Sequence, residues 1–125
     1  MRIAVTIWND KVSPVFDTAS RLLIIETENL NETARFKTYL YEHDIYRRCL
    51  RIQDLKVNVL ICGAISRPFS MMLMSSGIKI ISGISGHADD VLSAYLNGAL
   101  SNPKFLMPGC KNNHLTQMKE EKEII

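Results

Sequence analysis

The N-terminal part of the chain alternates between apolar runs and polar turns in the manner of β-strands. Residues 3–8 are apolar at both odd and even positions, which predicts a central strand covered on both faces. Residues 21–28 and 34–42 flank a polar turn and predict a hairpin, and the alternation in its second strand predicts one solvated face. Between the first strand and the hairpin, residues 11–20 show no periodicity, so we expect an irregular loop there.

From Asp44 onward, the pattern changes to a repeating order of strand and helix. A helical stripe follows Asp44, and either Asp44 or His43 could cap that helix. Apolar strands at residues 57–62 and 78–81 each precede a helical pattern that ends at a glycine. Parallel strands joined by helical crossovers have this order. The sequence therefore predicts an α/β fold with a five-stranded mixed sheet, in which three antiparallel and two parallel strands carry helices on both faces. This is the order of the ribonuclease H-like architecture.

Length and composition are those of a single globular domain. The chain has 125 residues, of which 46% are hydrophobic and 22% are charged, so it can bury a core but has no room for a second domain. We expect the domain at residues 1–110. A charged tail is expected at residues 111–125, where three Lys and three Glu stand among few apolar residues.

Charge and hydropathy narrow the classes of partner. The net charge of +2 is too small for a protein that binds a polyanion, so no nucleic-acid partner is expected. No apolar run approaches the roughly 18 residues that span a bilayer, and the N-terminus lacks the apolar core of a signal peptide. The odd number of cysteines does not suggest a disulfide framework. We therefore expect a cytoplasmic protein with reduced thiols and no membrane partner.

Common catalytic motifs are missing from the sequence. A nuclease of ribonuclease H-like architecture needs carboxylates that converge on paired metal ions, usually one of them in the first strand, and residues 3–8 contain none. The Gly-x-Ser-x-Gly spacing of a nucleophile elbow is also missing. We expect a binding protein and not an enzyme.

Two glycine-containing loops follow the two predicted parallel strands. They comprise residues 62–66 and 82–87, at the strand ends where ligands of open α/β sheets bind. Gly63 and Gly86 would let a ligand approach the backbone, and free amides at a helix start favour an anion. Glycines that only permit tight turns are an equally good interpretation.

Four side chains in and after these loops have both a functional and a structural interpretation. His87 could offer a nitrogen to a metal or serve as a solvated helix cap, and Cys62 could be a ligand or a small core residue. Cys110, which follows a Pro-Gly turn, and His114 are of the types that bind transition metals. Two ligands do not complete a site, so a second pair or a cluster with its own sulfides would be required.

The remaining candidates are interpreted as structural. We expect Cys49 to lie in the core on the apolar stripe of its helix. The three methionines Met71, Met72 and Met74 are interpreted as soft packing rather than a thioether metal site. A solvated basic face is predicted for Arg47, Arg48, Arg51 and Lys56.

Four segments of the chain carry a family resemblance. They are residues 1–5, the Val12-Ser13-Pro14 loop that ends in Phe16, residues 77–80 and, above all, residues 86–98. Together they resemble the dinitrogenase iron-molybdenum cofactor biosynthesis family, over residues 1–110. The resemblance implies a ribonuclease H-like fold without nuclease chemistry, used to bind, carry or insert metal-sulfur clusters that contain iron and molybdenum. Some members outside nitrogen fixation resemble carriers of molybdenum-copper sulfide clusters.

The first loop departs from the family pattern. Family members commonly have His-Phe-Gly there, with the histidine as a cluster contact, whereas this chain has Val15-Phe16-Asp17. At the start of the last predicted helix, His87 replaces the small or hydroxyl residue of the family. We expect the His87 imidazole to face the same cleft.

The resemblance and the loops together predict a cluster site. The expected ligand is a metal-sulfur cluster of iron-molybdenum or molybdenum-copper type, which the purified protein need not contain. Backbone amides near Gly63 and Gly86 would satisfy its negative charge. The predicted contacts are Ser13, Phe16, Cys62, Gly63, Ser85, Gly86 and His87. The predicted metal ligands are Cys110, His87 and His114.

The leading hypothesis is a small cytoplasmic carrier that exchanges this cluster with donor and acceptor proteins during cofactor assembly. The alternative is an interaction or regulatory module that has kept the fold and lost the cluster, with the basic helix and the charged tail as docking surfaces. A weaker alternative is a small protein that binds an anion or a nucleotide with the same loops. The sequence specifies neither the cluster nor the oligomeric state.

Overall fold

The structure, a computed structural model, describes residues 1–109. Its strands are β1 (Arg2–Trp8), β2 (Lys11–Val12), β3 (Arg21–Glu28), β4 (Asn31–Tyr39), β5 (Val59–Ile61) and β6 (Lys79–Ile81). Its helices are α1 (Ile45–Asp54), α2 (Arg67–Ser75) and α3 (Ala88–Leu96), and a 3-10 turn spans Pro103–Phe105. The predicted charged tail at residues 111–125 lies outside the described residues.

The sheet has the predicted mixed order, which is β4-β3-β1-β5-β6. Strand β3 pairs antiparallel with both β1 and β4, whereas β5 pairs parallel with both β1 and β6. The side chains of residues 3–7 in β1 are all buried, as expected for a central strand that is apolar on both faces. The predicted α/β fold with three antiparallel and two parallel main strands is confirmed.

Two hydrophobic layers cover the sheet. On one face, odd-numbered residues of β1 such as Val5 pack with Val91 of α3. On the other face, even-numbered residues such as Ala4 pack with Ile52 of α1 and Leu73 of α2. Helices therefore lie on both faces, as predicted, because both sides of β1 are apolar and need a cover.

The sequence did not predict strand β2. It pairs antiparallel with the end of β1, and its first residue, Lys11, lies opposite Trp8. The intervening turn has two residues, and Asn9 adopts a φ of 56°, a conformation that Asn tolerates better than most residues. The prediction of an irregular loop over residues 11–20 is therefore wrong for its first two residues.

Strand β4 is exposed on both faces rather than on one. It is the outermost strand beside β3, and residues 31–37 are all exposed. Phe36 is 38% exposed, although the alternation placed it on the covered face. Neither hydrophobic layer includes a described residue of β4, so its apolar side chains have no helix to pack against.

The helix ends follow the predicted signals. Asp44 caps α1 through its Oδ2 atom, which accepts a hydrogen bond from the Arg47 amide at 3.0 Å. Gly77 and Gly98 follow α2 and α3 in the left-handed conformation, with φ of +86° and +72°. Within residues 1–109, no helix is both long enough and apolar enough to cross a membrane.

The predicted packing of the sulfur-containing side chains is only partly correct. Cys49 is fully buried and Met72 packs against the layer formed by α1 and α2. Met71 and Met74, however, are 59% and 60% exposed, so the packing interpretation is wrong for them. They lie on the outward side of α2, away from Leu73 and the sheet.

Candidate functional site

Three loops meet at the edge of the sheet where the parallel strands end, here called the carboxyl edge. They are the entry loop (residues 13–20), the first glycine loop (residues 62–66) and the second glycine loop (residues 82–87). Ligands of open α/β sheets bind at this edge because the loops there are free to vary while the strands hold them in place. Backbone hydrogen bonds join the three loops to one another.

The entry loop and the first glycine loop are joined by a reciprocal pair of backbone hydrogen bonds. The Phe16 amide donates to the Ala64 carbonyl oxygen, and the Ala64 amide donates to the Pro14 carbonyl oxygen, both at 2.7 Å. A Cβ atom on Gly63 would lie only 2.3 Å from that Pro14 oxygen. Glycine at position 63 is therefore a condition for this close approach.

The second glycine loop is hydrogen-bonded to the first. The amide of Gly83 donates to the carbonyl oxygen of Gly63 at 2.9 Å, and the amide of Ile84 donates to that of Cys62 at 3.1 Å. Strand order alone places these loops side by side, since β5 and β6 are adjacent and parallel. The hydrogen bonds make them a single backbone surface.

Strand β2 connects the second glycine loop to β1. The Val12 amide donates to the Gly86 carbonyl oxygen, and the Ala88 amide donates to the Asp10 carbonyl oxygen, both at 2.9 Å. These bonds flank an antiparallel bridge in which Lys11 lies opposite His87. The start of α3 is thereby fixed against the β1–β2 hairpin.

A buried arginine on α1 donates hydrogen bonds to the entry loop from the side of the core. Arg48 has no exposed surface, and its Nη1 donates to the carbonyl oxygens of Phe16 at 3.0 Å and Ala19 at 2.8 Å. Its Nε donates to the Glu42 carbonyl oxygen at 2.7 Å. The predicted solvated position of Arg48 is therefore wrong, because three carbonyls from outside α1 need this cation as a donor.

The pKa of Arg48 reflects its position in the core. Burial lowers the pKa of the guanidinium from its ordinary value, and the negative charges of Asp17 and Glu42 offset part of that effect. The sequence did contain a signal of this burial. Arg48 and Ile52 are four residues apart and thus lie on the same side of α1, next to the apolar stripe.

Asp17 joins the entry loop to the start of α2. Its Oδ1 accepts a hydrogen bond from the Ser66 amide at 3.0 Å. Ser66 occupies the N-cap position of α2, but its own side chain makes no capping bond. The aspartate at the position where the family pattern has glycine thus supplies a carboxylate near the positive end of this helix.

Two of the predicted contact residues point into the core. Phe16 is fully buried and meets the Phe69 ring edge-on, with ring centroids 5.3 Å apart. Cys62 is also fully buried, and burial, with a further contribution from Asp17, raises the pKa of its thiol to about 12. In this conformation neither side chain reaches the surface of the carboxyl edge, and Cys62 is a neutral thiol at physiological pH.

The two predicted serines use their hydroxyls within the protein. Ser13 is 7% exposed, and its Oγ lies 3.5 Å from the Val15 carbonyl oxygen. The Oγ of Ser85 donates to the Leu106 carbonyl oxygen at 3.3 Å, and its amide donates to the Phe105 carbonyl oxygen at 2.7 Å. Residues 105–107, which the sequence did not associate with the site, thus close the outer side of the second glycine loop.

The predicted glycine amides differ from their neighbours in what they bind. Ala64, Gly83 and Ile84 all donate to backbone oxygens of the adjoining loops. By contrast, the amides of Gly63 and Gly86 donate none of the loop backbone hydrogen bonds found within residues 1–109. Gly63 is buried and Gly86 is half-buried, so Gly86 is the more accessible of the two.

His87 is the one predicted metal ligand that the described residues include. It is exposed at the N-cap position of α3, and its side chain caps no amide of that helix. Two residues that the sequence did not single out, Lys11 and Trp8, follow it across the β1–β2 hairpin. The sequence feature that could have pointed to Trp8 is its position, since it is a bulky aromatic residue at the end of a strand and directly before a turn.

The described residues do not assemble a protein-only metal site. No three His, Cys, Asp or Glu side chains within residues 1–109 come together as a set that could hold a metal ion. Cys110 and His114, the other two predicted metal ligands, lie outside the described residues. Their roles remain predictions.

Comparisons with known proteins agree with the fold. A search of curated proteins found no match. Among solved structures, the crystal structure of PH0822 has a TM-score of 0.73 and 22% identity, covering 78% of this chain and 90% of that chain. The protein mj0327 from Methanocaldococcus jannaschii has a TM-score of 0.64 and 24% identity, covering 81% and 92%. The apo form of the orange protein (ORP) from Desulfovibrio gigas has a TM-score of 0.62 and 20% identity, covering 78% and 88%.

Sequence comparison identifies the family. At sequence identities of 22%, 24% and 20%, likeness to these solved structures shows the fold alone. The family described as "Dinitrogenase iron-molybdenum cofactor", however, matches residues 1–98, which is most of the chain and includes the entry loop, both glycine loops and α3. The resemblance carried by the entry loop and residues 86–98 is therefore confirmed, and the chain belongs to the dinitrogenase iron-molybdenum cofactor family.

Proposed function

We propose that this protein is a carrier that holds an anionic metal-sulfur cluster at the carboxyl edge of its sheet. The cluster is of the iron-molybdenum type or a related type such as molybdenum-copper. The observation that carries the proposal is the joining of the entry loop and both glycine loops into one backbone surface, through the bonds of Ala64, Gly83 and Ile84. Family membership supplies the class of ligand.

The groups at this surface suit a preassembled cluster better than a bare metal ion. A cluster brings its own sulfides, so it needs few protein ligands and mainly requires compensation of its negative charge. The exposed imidazole of His87 and the amide of Gly86 are groups of that kind. Cys62 does not contribute a thiolate in this proposal, because the pKa of its buried thiol is about 12. Cys110 and His114 are proposed as additional ligands.

The proposal assigns the chain a transfer role and no catalytic step. A donor protein would deliver the cluster, and an acceptor protein would remove it during cofactor assembly in the cytoplasm. A surface-exposed ligand such as His87 suits transfer, since an incoming ligand can replace it without unfolding the core. The buried side chains of Phe16 and Cys62 would instead keep the underlying loops in place.

Anaerobic reconstitution tests the proposal. The purified chain is incubated with iron, molybdate, copper and sulfide, desalted, and analysed for metal content and visible absorption. We expect a coloured protein with molybdenum and a second metal in fixed ratio to the chain. A colourless and metal-free protein after this treatment would contradict the proposal.

A variant of His87 tests the side chain. His87→Ala should lower the amount of cluster retained, while far-ultraviolet circular dichroism stays unchanged because the imidazole is exposed and caps no amide. His43→Ala, at another exposed histidine that precedes α1, is the matched control. Equal retention in wild type and His87→Ala would remove His87 from the site.

A further inference from the structure

Three exposed side chains stand in a row at one end of the carboxyl edge. Trp8 lies opposite Lys11 in the β1–β2 hairpin, and Lys11 lies opposite His87 in the bridge to the second glycine loop. Residues directly opposite each other on antiparallel strands carry their side chains on the same face. The indole, the ammonium and the imidazole therefore project from one face, and we call these three residues the edge row.

The backbone bonds show how close two members of the edge row are. The Val12 amide bonds the Gly86 oxygen and the Ala88 amide bonds the Asp10 oxygen, so the bonds flank Lys11 and His87 rather than join them. In such a pair the Cα atoms are about 4.5 Å apart and the side chains approach more closely than in a hydrogen-bonded pair. The edge row thus places two nitrogen donors side by side.

Packing does not account for the edge row. Trp8 is 65% exposed, whereas its neighbour Ile7 is 3% exposed within the core, so the strand is packed directly before the indole enters solvent. Within residues 1–109, none of the salt bridges involves Lys11. His87 likewise caps no amide of α3. Tryptophan is enriched at recognition surfaces, where its ring offers apolar contact beside polar groups, and here two nitrogen donors stand next to it.

We infer that the edge row is a binding site for a small metal-sulfide anion that carries at least two negative charges. This inference rests on the proposed function and adds to it the residues that select the ligand. The ammonium of Lys11 and an N–H of His87 would donate charge-assisted hydrogen bonds to the anion. The face or edge of the Trp8 indole would contact its sulfur atoms, a favourable contact for a soft and polarisable element.

The indole of the edge row has a different role from the two nitrogen donors. Lys11 and His87 provide attraction to any compact anion, whereas Trp8 favours a weakly hydrated sulfide over an oxide of the same charge. Trp8 is therefore a specificity-determining residue. It is also the only tryptophan of the chain, so its emission reports on this site alone.

Binding of tetrathiomolybdate, with molybdate as the oxygen counterpart, tests the inference. Bound molybdenum is measured after anaerobic equilibrium dialysis, and Trp8 emission is measured in parallel, corrected for absorption with free N-acetyltryptophanamide. We expect tetrathiomolybdate to bind and quench Trp8, and molybdate to bind roughly tenfold more weakly. Lys11→Gln and His87→Gln should each weaken tetrathiomolybdate binding by roughly fivefold to tenfold.

Three further variants separate the effects of position, the indole and the positive charge. Lys37 of β4 is an exposed lysine whose partner Leu23 packs in the layer on the α3 face of the sheet. Trp8, an even-numbered residue of β1, faces the opposite side. Lys37→Gln should therefore bind the anion like wild type. Trp8→Leu should bring the affinities for the two anions close together while leaving molybdate binding unchanged. Circular dichroism and thermal unfolding identify any variant that fails to fold, and Lys11→Arg, which keeps the charge, should retain binding.

The outcomes separate the edge row from the proposed function. Wild-type affinity in both Lys11→Gln and His87→Gln, or an equal loss in Lys37→Gln, would overturn the edge row, even if reconstitution yields a bound cluster. Equal affinity of the wild type for the two anions would overturn the preference for sulfide. Anion binding that depends on Lys11, in a chain that retains no cluster on reconstitution, would support the edge row and contradict the carrier.

Discussion

The Pro14 carbonyl oxygen occupies the space that a side chain on residue 63 would need, since a Cβ atom on Gly63 would lie 2.3 Å from it. The same oxygen accepts a hydrogen bond from the Ala64 amide. Gly63→Ala must therefore displace the entry loop, and we expect it to lower the free energy of unfolding by about 2 kcal/mol. Urea unfolding measures the loss.

Gly77→Ala is the control for Gly63→Ala. Its Cβ would meet no atom within 4 Å, but the φ of +86° makes alanine cost about 1 kcal/mol for backbone reasons alone. We also expect Gly63→Ala to lose cluster in the reconstitution assay and Gly77→Ala to keep it. Equal stability of Gly63→Ala and wild type would show that the loops are not packed as described.

The buried Arg48 should contribute much more to stability than an exposed arginine of the same helix. Arg48→Met leaves the carbonyl oxygens of Phe16, Ala19 and Glu42 without their charged donor, and we expect a loss of about 3 kcal/mol in the free energy of unfolding. Arg47→Met, at an exposed neighbour on the same helix, should stay within about 0.5 kcal/mol of wild type. Denaturant unfolding compares the two, and similar losses would place Arg48 among ordinary surface residues.

Because the pKa of the Cys62 thiol is raised, we expect the protein to lose stability in alkaline solution. Its pKa is raised to about 12 in the folded protein, so above pH 9 the unfolded chain loses a proton that the folded chain keeps. The contribution to stability is therefore complete below pH 9 and falls as the pH rises toward 12. Between pH 8 and pH 10 the decline caused by this group should be about 1.4 kcal/mol.

Cys62→Ala isolates that contribution. Cys49 and Tyr95 also have raised pKa values because of burial, so wild type and variant should both lose stability as the pH rises. We expect the decline to be smaller in Cys62→Ala, whatever the absolute stability of the variant. Parallel declines in urea titrations at pH 8 and pH 10 would show that Cys62 is solvated or already ionised.

The turn between β3 and β4 should accept a stabilising substitution. Asn29 and Leu30 have φ values of 51° and 66°, which define a two-residue turn that favours Asn-Gly. Leu30→Gly relieves the left-handed conformation without loss of a core contact, because Leu30 is 65% exposed. We expect the free energy of unfolding to rise by about 1 kcal/mol. Asn31→Gly, one residue into β4, should lower it instead, and thermal unfolding distinguishes the two.

Periodicity predicted those elements whose burial is decided locally. β1 is apolar on both faces and lies in the centre of the sheet, and Asp44 caps α1 as its residue type indicates. Strand β2 could not be predicted in this way, since two residues have no period and only the partners on both sides make it a strand. Strand β4 alternates correctly, but alternation does not say whether a helix covers the strand.

The sequence predicted where the two glycine loops lie, and less well how the side chains around them are oriented. The rule that ligands bind at the ends of parallel strands located both glycine loops. The inward direction of Phe16 could not be predicted, because it depends on Phe69 and on Arg48, which donates to the Phe16 oxygen from 32 residues away. Charge type likewise assigned Arg48 to solvent. Its place next to the apolar stripe of α1 indicated burial, but its three carbonyl acceptors come together only in the folded chain.

The reactivity of the two buried cysteines reports how often the folded protein opens. Cys49 on α1 and Cys62 at the end of β5 belong to the same hydrophobic layer, and neither has exposed surface. An alkylating reagent reaches them only when that layer separates from the sheet, so labelling followed peptide by peptide measures how often it opens. If Cys49 reacts much faster than Cys62, α1 detaches on its own; if both react together, the layer opens as one unit.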